Sequence, residues 1–406
     1  MSERDRDEFM ARMLRAKVNR RSFLAAAGLI GGGAALAACS GGTSSAAPST
    51  ASTAPSTAPS AAPSAAPSTA PSTAAGPIED ELWMLNWSGY VDPANMESFK
   101  AETGVKNFQY DIFANNDELL AKLSAGAKGY DLCCPTAEFL PQMAQEGYIQ
   151  KLDYSRIPNF KYMDPGILSQ VWDPKNEYHV PKDFGTTGIL YRSKLVKEPV
   201  TSWKEFYDLS VGKYSGKVVL VDSAGDVLCM PLKMLGYSIN STDPAELAKA
   251  KTLLLDLAPH ILALDSDTYQ DKLASEEAVL CLGWTGPLLA LRADPATADT
   301  KYVVPSEGTL FWLDTWVMLA DAPHPNATYA WFDYVERPVI QAKETEYTGY
   351  GTPNLEAKKL VPQKLLDDPS IFPPADIMAS LEGADPKVTD NADRLAVWTE
   401  FKSSLS

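Results

Sequence analysis

A chain of 406 residues is too long for one small domain and suggests two. Its 45% apolar and 22% charged residues exclude both wholesale disorder and a multi-span membrane protein. There are 36 basic against 52 acidic residues, a formal charge of −16, which repels phosphate backbones, so no nucleic-acid partner is expected.

The chain begins with a polar, basic-leaning stretch that ends in Asn19-Arg20-Arg21-Ser22-Phe23-Leu24. The apolar run that follows, residues 23–38, is too short and too rich in small residues for a permanent membrane span. The arrangement resembles a twin-arginine export signal, and Leu36-Ala37-Ala38-Cys39 resembles a bacterial lipobox. Residues 1–38 are therefore expected to be a signal peptide, with Cys39 the lipidated first residue of the mature protein. Residues 39–77 are expected to form a tether, because Pro55, Pro59, Pro63, Pro67 and Pro71 recur in an uncharged Ala/Ser/Thr background. Such a segment cannot bury enough apolar surface to offset its chain entropy. The protein is expected to be exported and held at the outer face of the cell membrane, or in the periplasm, as a lipid-anchored monomer.

From residue 78 onward the pattern alternates. Residues 81–86 read as a strand, 93–103 as a helix, 107–113 as a strand and 116–125 as a helix with Leu119, Leu120 and Leu123 at helical spacing. A short strand is expected at 131–134, a helix at 202–209 behind a Ser cap, a strand at 217–222 and a long helix at 244–257. Alternation of this kind predicts an α/β class with largely parallel sheets, and the length suits two lobes. Cys133 and Cys134 read as small core residues, whereas Cys229 and Cys281 leave open whether they pair. His179, His260 and His324 lie far apart with no metal-ligand spacing, so neither a metal nor a cofactor is expected.

Ligands of open α/β folds bind beyond the carboxyl ends of strands. Those positions carry Trp87-Ser88-Gly89-Tyr90, Thr136-Ala137-Glu138, Ser223-Ala224-Gly225-Asp226, Trp284, Trp312-Leu313-Asp314 and Tyr350. Aromatic faces with carboxylates meet the needs of a protonated amine on an apolar chain. Rings take the methylenes and attract the cation, and carboxylates pair with the ammonium ends.

Leu85-Asn-Trp-Ser-Gly-Tyr-Val91, Gly129-Tyr-Asp-Leu132, Gly147-Tyr-Ile-Gln-Lys-Leu152, Leu235-Gly-Tyr-Ser-Ile-Asn-Ser-Thr-Asp-Pro244, Phe311-Trp-Leu-Asp314 and Gly349-Tyr-Gly-Thr-Pro-Asn-Leu355 resemble the spermidine/putrescine-binding proteins of polyamine ABC importers. The resemblance runs in order from about residue 80 to residue 405. It implies a two-lobed type II periplasmic-binding fold with a ligand cleft between the lobes, crossed near Thr186, Trp312 and Lys358. The implied lobes are 78–186 with 312–357, and 187–311 with 358–406. It implies a polyamine ligand, ABC permease subunits as partners and no catalysis. The implied ligand contacts are Trp87, Ser88, Tyr90, Thr136, Glu138, Ser223, Asp226, Trp284, Trp312, Asp314, Tyr350 and Glu382. The sequence departs from the family at Gly89, Ser223 and Pro287, where acids are common, and carries extra acids at Glu138 and Glu382. Relocated charge leaves the choice of polyamine open. Two other readings compete: a binder of another small organic cation or osmolyte, and an exported glycan-acting hydrolase. Against the hydrolase stands the absence of a Gly-x-Ser-x-Gly elbow or a His beside a nucleophile.

Overall fold

Asp92 opens the first helix of the body: its carboxylate accepts from the Ala94 amide, and Pro93 supplies a pre-set first turn. Gly104 closes that helix at φ 83°, a conformation that costs a side-chain-bearing residue but not glycine. The computed structural model describes residues 76–405. The expected signal peptide, Cys39 and all but the last two tether residues lie outside them. Among the described residues, no helix is long and apolar enough to cross a membrane.

Among the described residues, eleven strands form two sheets. In chain order they are β1 (Glu81–Asn86), β2 (Asn107–Ile112), β3 (Leu132–Cys133), β4 (His179–Thr186), β5 (Gly188–Arg192), β6 (Val218–Leu220), β7 (Ala263–Leu264), β8 (Leu280–Gly283), β9 (Thr300–Val303), β10 (Leu310–Met318) and β11 (Glu382–Gly383). The first sheet runs β11-β10-β3-β1-β2, with β4 along the other edge of β10, and the second runs β7-β6-β8-β5-β9. The eight spans expected from the sequence pattern match observed elements to within two residues, and Pro93–Thr103 and Pro244–Leu257 are helices over the expected spans.

The expectation of largely parallel sheets needs correction. β1 pairs in parallel with β2 and β3, and β6 with β7 and β8. β10 runs antiparallel to β3 and β4, and β5 runs antiparallel to β8 and β9. The antiparallel strands are the ones beside the crossings. β4 leads into β5 through Thr187 alone, and the chain returns between β9 and β10. The two crossings are tied side by side, since the Thr187 amide donates to the Leu310 carbonyl and the Thr309 hydroxyl donates to the Thr187 carbonyl at 2.7 Å.

Each sheet has its own core. Phe99, Trp316, Trp331 and Tyr334 pack behind the first, and Trp203, Phe206, Leu254 and Phe401 behind the second. Beyond Lys358 the chain first stays with the first sheet. Ala357 and Val361 pack on Ala342 of the helix Pro338–Thr348, and β11 lies beside β10. The last helix, Ala392–Ser403, then packs with the second core through Val397, Trp398 and Phe401. Cys133, Cys134, Cys229 and Cys281 are buried free thiols, so the open question of a Cys229–Cys281 pair is answered in the negative.

Candidate functional site

The ends of β1 and β3 and the middle of β10 converge with the first turn after β6 and the loop after β8. β10 carries Asp314 directly opposite Asp183 of β4. Two like charges across a ladder repel, so the fold has to offset them. It does so with a bulge: the register slips between Asp314 and Thr315, which face Asp183 and Pro181, leaving Lys182 as the extra residue. Adjacent strand residues normally point to opposite faces. The bulge brings both Lys182 and Asp183 to one side, where Lys182 Nζ lies 2.5 Å from Asp183 Oδ2.

The Tyr90 hydroxyl sits between the two aspartates, 2.5 Å from Asp183 Oδ1 and 2.6 Å from Asp314 Oδ2. A phenol carries one proton, so it can donate to only one of them. The second oxygen contact is favourable when that carboxyl is itself protonated. Burial and the neighbouring Asp183 charge push the Asp314 carboxyl from its ordinary 3.8 up to about 7, while hydrogen bonds from Tyr90 and Thr136 pull the other way. Thr136 is held in place by Asn116, which donates to its hydroxyl at 2.9 Å and accepts from its amide at 3.1 Å.

On the second lobe, Asp226 stands in the first turn of the helix Ala224–Met234. Its Oδ1 accepts from the Thr187 hydroxyl and, at 3.0 Å, from the Trp284 indole N–H; its Oδ2 accepts from the Ser223 hydroxyl. Burial raises its pKa while all three donors lower it. Glu138 follows β3 in a short 3-10 turn, and burial raises its carboxyl to about 8, with the Asp314 and Asp226 charges adding to the rise. None of Glu138, Asp226 and Asp314 forms an ion pair among the described residues.

Aromatic rings wall this acidic group. Trp87 donates its indole N–H to the Cys134 carbonyl at 2.8 Å and meets Trp284 edge-on at 6.3 Å. Tyr350 lies between Trp312 at 4.9 Å and Tyr90 at 5.6 Å. Two backbone contacts also join the lobes here, the Gly286 amide to the Tyr350 hydroxyl and the Thr285 hydroxyl to the Gly349 carbonyl. Gly286 allows this approach, since a Cβ there would lie 2.5 Å from the Tyr350 oxygen.

Acidic and aromatic side chains from two α/β lobes thus meet in one group, and comparison with known proteins shows the family. The pattern of the family described as bacterial extracellular solute-binding protein matches residues 94–373. The chain belongs to that family. As a solute-binding protein it resembles the spermidine/putrescine-binding periplasmic protein of Salmonella typhimurium, with 34% identity over 328 residues, 80% of this chain and 91% of the relative. It resembles the putrescine-binding periplasmic protein of Escherichia coli K12 at 34% identity over 341 residues, covering 79% and 91%. A solved structure described as a putative spermidine/putrescine ABC transporter from Listeria monocytogenes superposes with a TM-score of 0.74 at 27% identity, covering 80% of this chain and 99% of that one. The fold is thus the two-lobed type II periplasmic-binding architecture, and the family binds solutes without transforming them.

Ten of the twelve expected residues join one group by direct contact or by their electrostatic influence on one another: Trp87, Tyr90, Thr136, Glu138, Ser223, Asp226, Trp284, Trp312, Asp314 and Tyr350. Ser88 is exposed at the end of β1. Glu382 lies elsewhere. It is on β11, paired with Lys233 at 2.7 Å and bonded by the Ser238 hydroxyl, and Lys233 is two helical turns from Asp226, about 10 Å along the axis. Sequence reasoning missed Lys182, Asp183, Asn116 and Thr187. A signal existed for the first two, because a Lys-Asp pair stands inside the otherwise apolar run at the first crossing.

Proposed function

We propose that this solute-binding protein captures a linear polyamine of the spermidine/putrescine class and delivers it to an ABC importer. The observation that carries the reading is the set of three carboxyls, buried Asp226 and Asp314 and half-buried Glu138, drawn from both lobes and without ion-pair partners among the described residues. A di- or polyammonium ion supplies the missing charge and lets the carboxyls ionise, while Trp87, Trp284, Trp312 and Tyr350 take the methylenes. Ser88 and Ser223 complete the proposed contacts. Because the acids come from opposite lobes, one ligand bridges them, and closure around it gives the form that the permease recognises. We assign Glu382 to an ion pair with Lys233 rather than to the ligand. The lobes are proposed to exchange chain at Thr187, between β9 and β10, and after β11.

The twin-arginine and lipobox residues support export and attachment through lipid on Cys39. One acyl chain anchors only marginally, so stable attachment requires more than one. Cys39→Ser should release the protein to the soluble fraction or leave it unprocessed, and a wild-type protein that salt alone washes from membranes would contradict the anchor.

The ligand reading is tested by thermal unfolding with putrescine, spermidine and spermine beside sugars and neutral amino acids. A true ligand at a hundredfold excess over Kd adds about 2.7 kcal/mol of stability and shifts Trp fluorescence. A shift with a sugar and none with any amine would replace the polyamine reading by a carbohydrate one.

A further inference from the structure

Lys182 is a cation where none is cheap to keep. Its residue is 1% exposed, its ammonium lies 3.6 Å from the centre of the Tyr90 ring and 5.6 Å from that of Trp316, and among the described residues its one ion-pair partner is Asp183. Isolated ions are costly to bury, and this one is held by a carboxylate, two aromatic faces and the more distant charge of Glu344. That environment is the same chemistry the cleft offers to a ligand amine. It is also contiguous with the ligand side, because the Tyr90 hydroxyl and Asp314 link Asp183 to the unpaired acids. The bulge in β4 exists at this one residue, and the Gln341 side chain fixes it by donating to the Lys182 carbonyl at 2.7 Å.

We propose that Lys182 is a specificity-determining residue: the chain's own ammonium occupies one amine subsite of the cleft, so the cleft selects a polyamine one ammonium group shorter than its acids would otherwise take. This rests on the reading of the cleft as a polyamine site and specifies which polyamines it prefers. The charge logic is direct. Asp183 is satisfied from within, which leaves Glu138, Asp226 and Asp314 for the ligand. Emptying the Lys182 position exposes Asp183 and an aromatic face to one more ammonium end.

The test measures putrescine, spermidine and spermine binding by titration calorimetry at pH 8 in two buffers of different ionisation heat. Lys182→Ala should raise the affinity ratio of each longer amine to putrescine at least tenfold. It should also release one additional proton on binding the longer amine, because the orphaned Asp183 takes up a proton until an ammonium displaces it. An unchanged ratio with no extra proton overturns the proposal. Should Lys182→Ala fail to fold, Asp183→Asn decides. It keeps the ammonium but removes its counter-charge, so Lys182 then opposes every amine, and affinity for all three should fall at least tenfold. Affinities equal to wild type would overturn the proposal. If wild type binds no amine at all, the polyamine reading itself fails, an outcome distinct from an unaltered ratio.

Discussion

The two lobes hold their cleft acids by different means. On the second lobe, Asp226 is surrounded by three neutral donors, Thr187, Ser223 and Trp284, which stabilise the ionised carboxylate without cancelling its charge. On the first, Asp314 faces Asp183 across the ladder, shares one phenol with it, and relies on the Lys182 ammonium beyond. A carboxylate held by dipoles keeps its full attraction for a cation. One held beside another carboxylate gives up part of that attraction to its own protons. On the proposed reading, neutral donors partly offset the burial of the second-lobe acid before the ligand arrives, whereas the first-lobe acid is completed by the ligand.

The largest expected effect breaks this comparison at Asp314. Asp314→Asn keeps the shape, removes the charge and relieves the repulsion from Asp183. Amine binding should weaken by about 2–5 kcal/mol, while the unliganded protein unfolds at the same temperature or higher. Calorimetry and thermal unfolding on the same samples separate the two. A variant that unfolds more easily yet binds amines as tightly as wild type would make Asp314 structural.

How far was this arrangement legible beforehand? Trp87, Asp226 and Trp284 were visible because they follow apolar strands, and strand ends are local properties; Trp312 and Asp314, expected after a strand, lie instead in the middle of β10. Lys182 and Asp183 were visible only as a charged pair, without a role. Their roles depend on a one-residue slip against β10, more than a hundred residues away, and nothing in the local pattern marks it. The same limit explains the sheets. Short apolar runs mark strands, but the antiparallel direction of β5 and β10 is set by the crossings, which are long-range facts. Glu382 was drawn toward the ligand by alignment, whereas Lys233, on a helix that hydrophobic spacing alone did not single out around Pro231, gives it a different partner.

A smaller effect tests the aromatic wall of the first lobe. Gly185 lies on β4 opposite Trp312, and a Cβ there would come within 2.3 Å of the indole. Gly185→Ala must push Trp312 off Tyr350, a cost of about 1–3 kcal/mol in stability by analogy with overpacked cores. The fluorescence response to ligand should shrink with it. An unchanged melting temperature would mean that Trp312 is looser than its burial suggests.

Proton linkage sharpens the contrast next. Asp314 and Glu138 are raised from 3.8 and 4.5 to about 7 and about 8 by burial, so the folded protein binds more protons than the unfolded chain between those limits. For these two groups stability is therefore greatest below pH 4 and declines as pH rises toward 8. The ligand works in the opposite sense, because an ammonium ion favours the ionised carboxyls and expels their protons. Affinity should rise from pH 6 to pH 8, by up to about 1.4 kcal/mol per pH unit for each proton released. Calorimetry in buffers of different ionisation heat counts those protons. No release at pH 7 would mean that both carboxyls are already ionised and that the first lobe is as ready as the second.

The smallest effect compares one hydrogen-bonding group from each lobe while keeping both rings. Trp284→Phe removes the indole N–H from Asp226 and leaves the Thr187 and Ser223 hydroxyls in place, so amine affinity should fall by only about 1 kcal/mol. Tyr90→Phe removes the one hydroxyl between Asp183 and Asp314, and no other donor bridges that pair. Each carboxyl then meets the other across an apolar ring edge, which raises their pKa values further and makes ionisation on binding harder. Tyr90→Phe should therefore weaken binding more than Trp284→Phe, and its deficit should narrow as pH is raised, whereas the Trp284→Phe deficit should stay nearly constant from pH 6 to 8. Two deficits with the same pH dependence would show that both lobes hold their acids in the same way, and the distinction between a ready anchor and a ligand-completed one would fall.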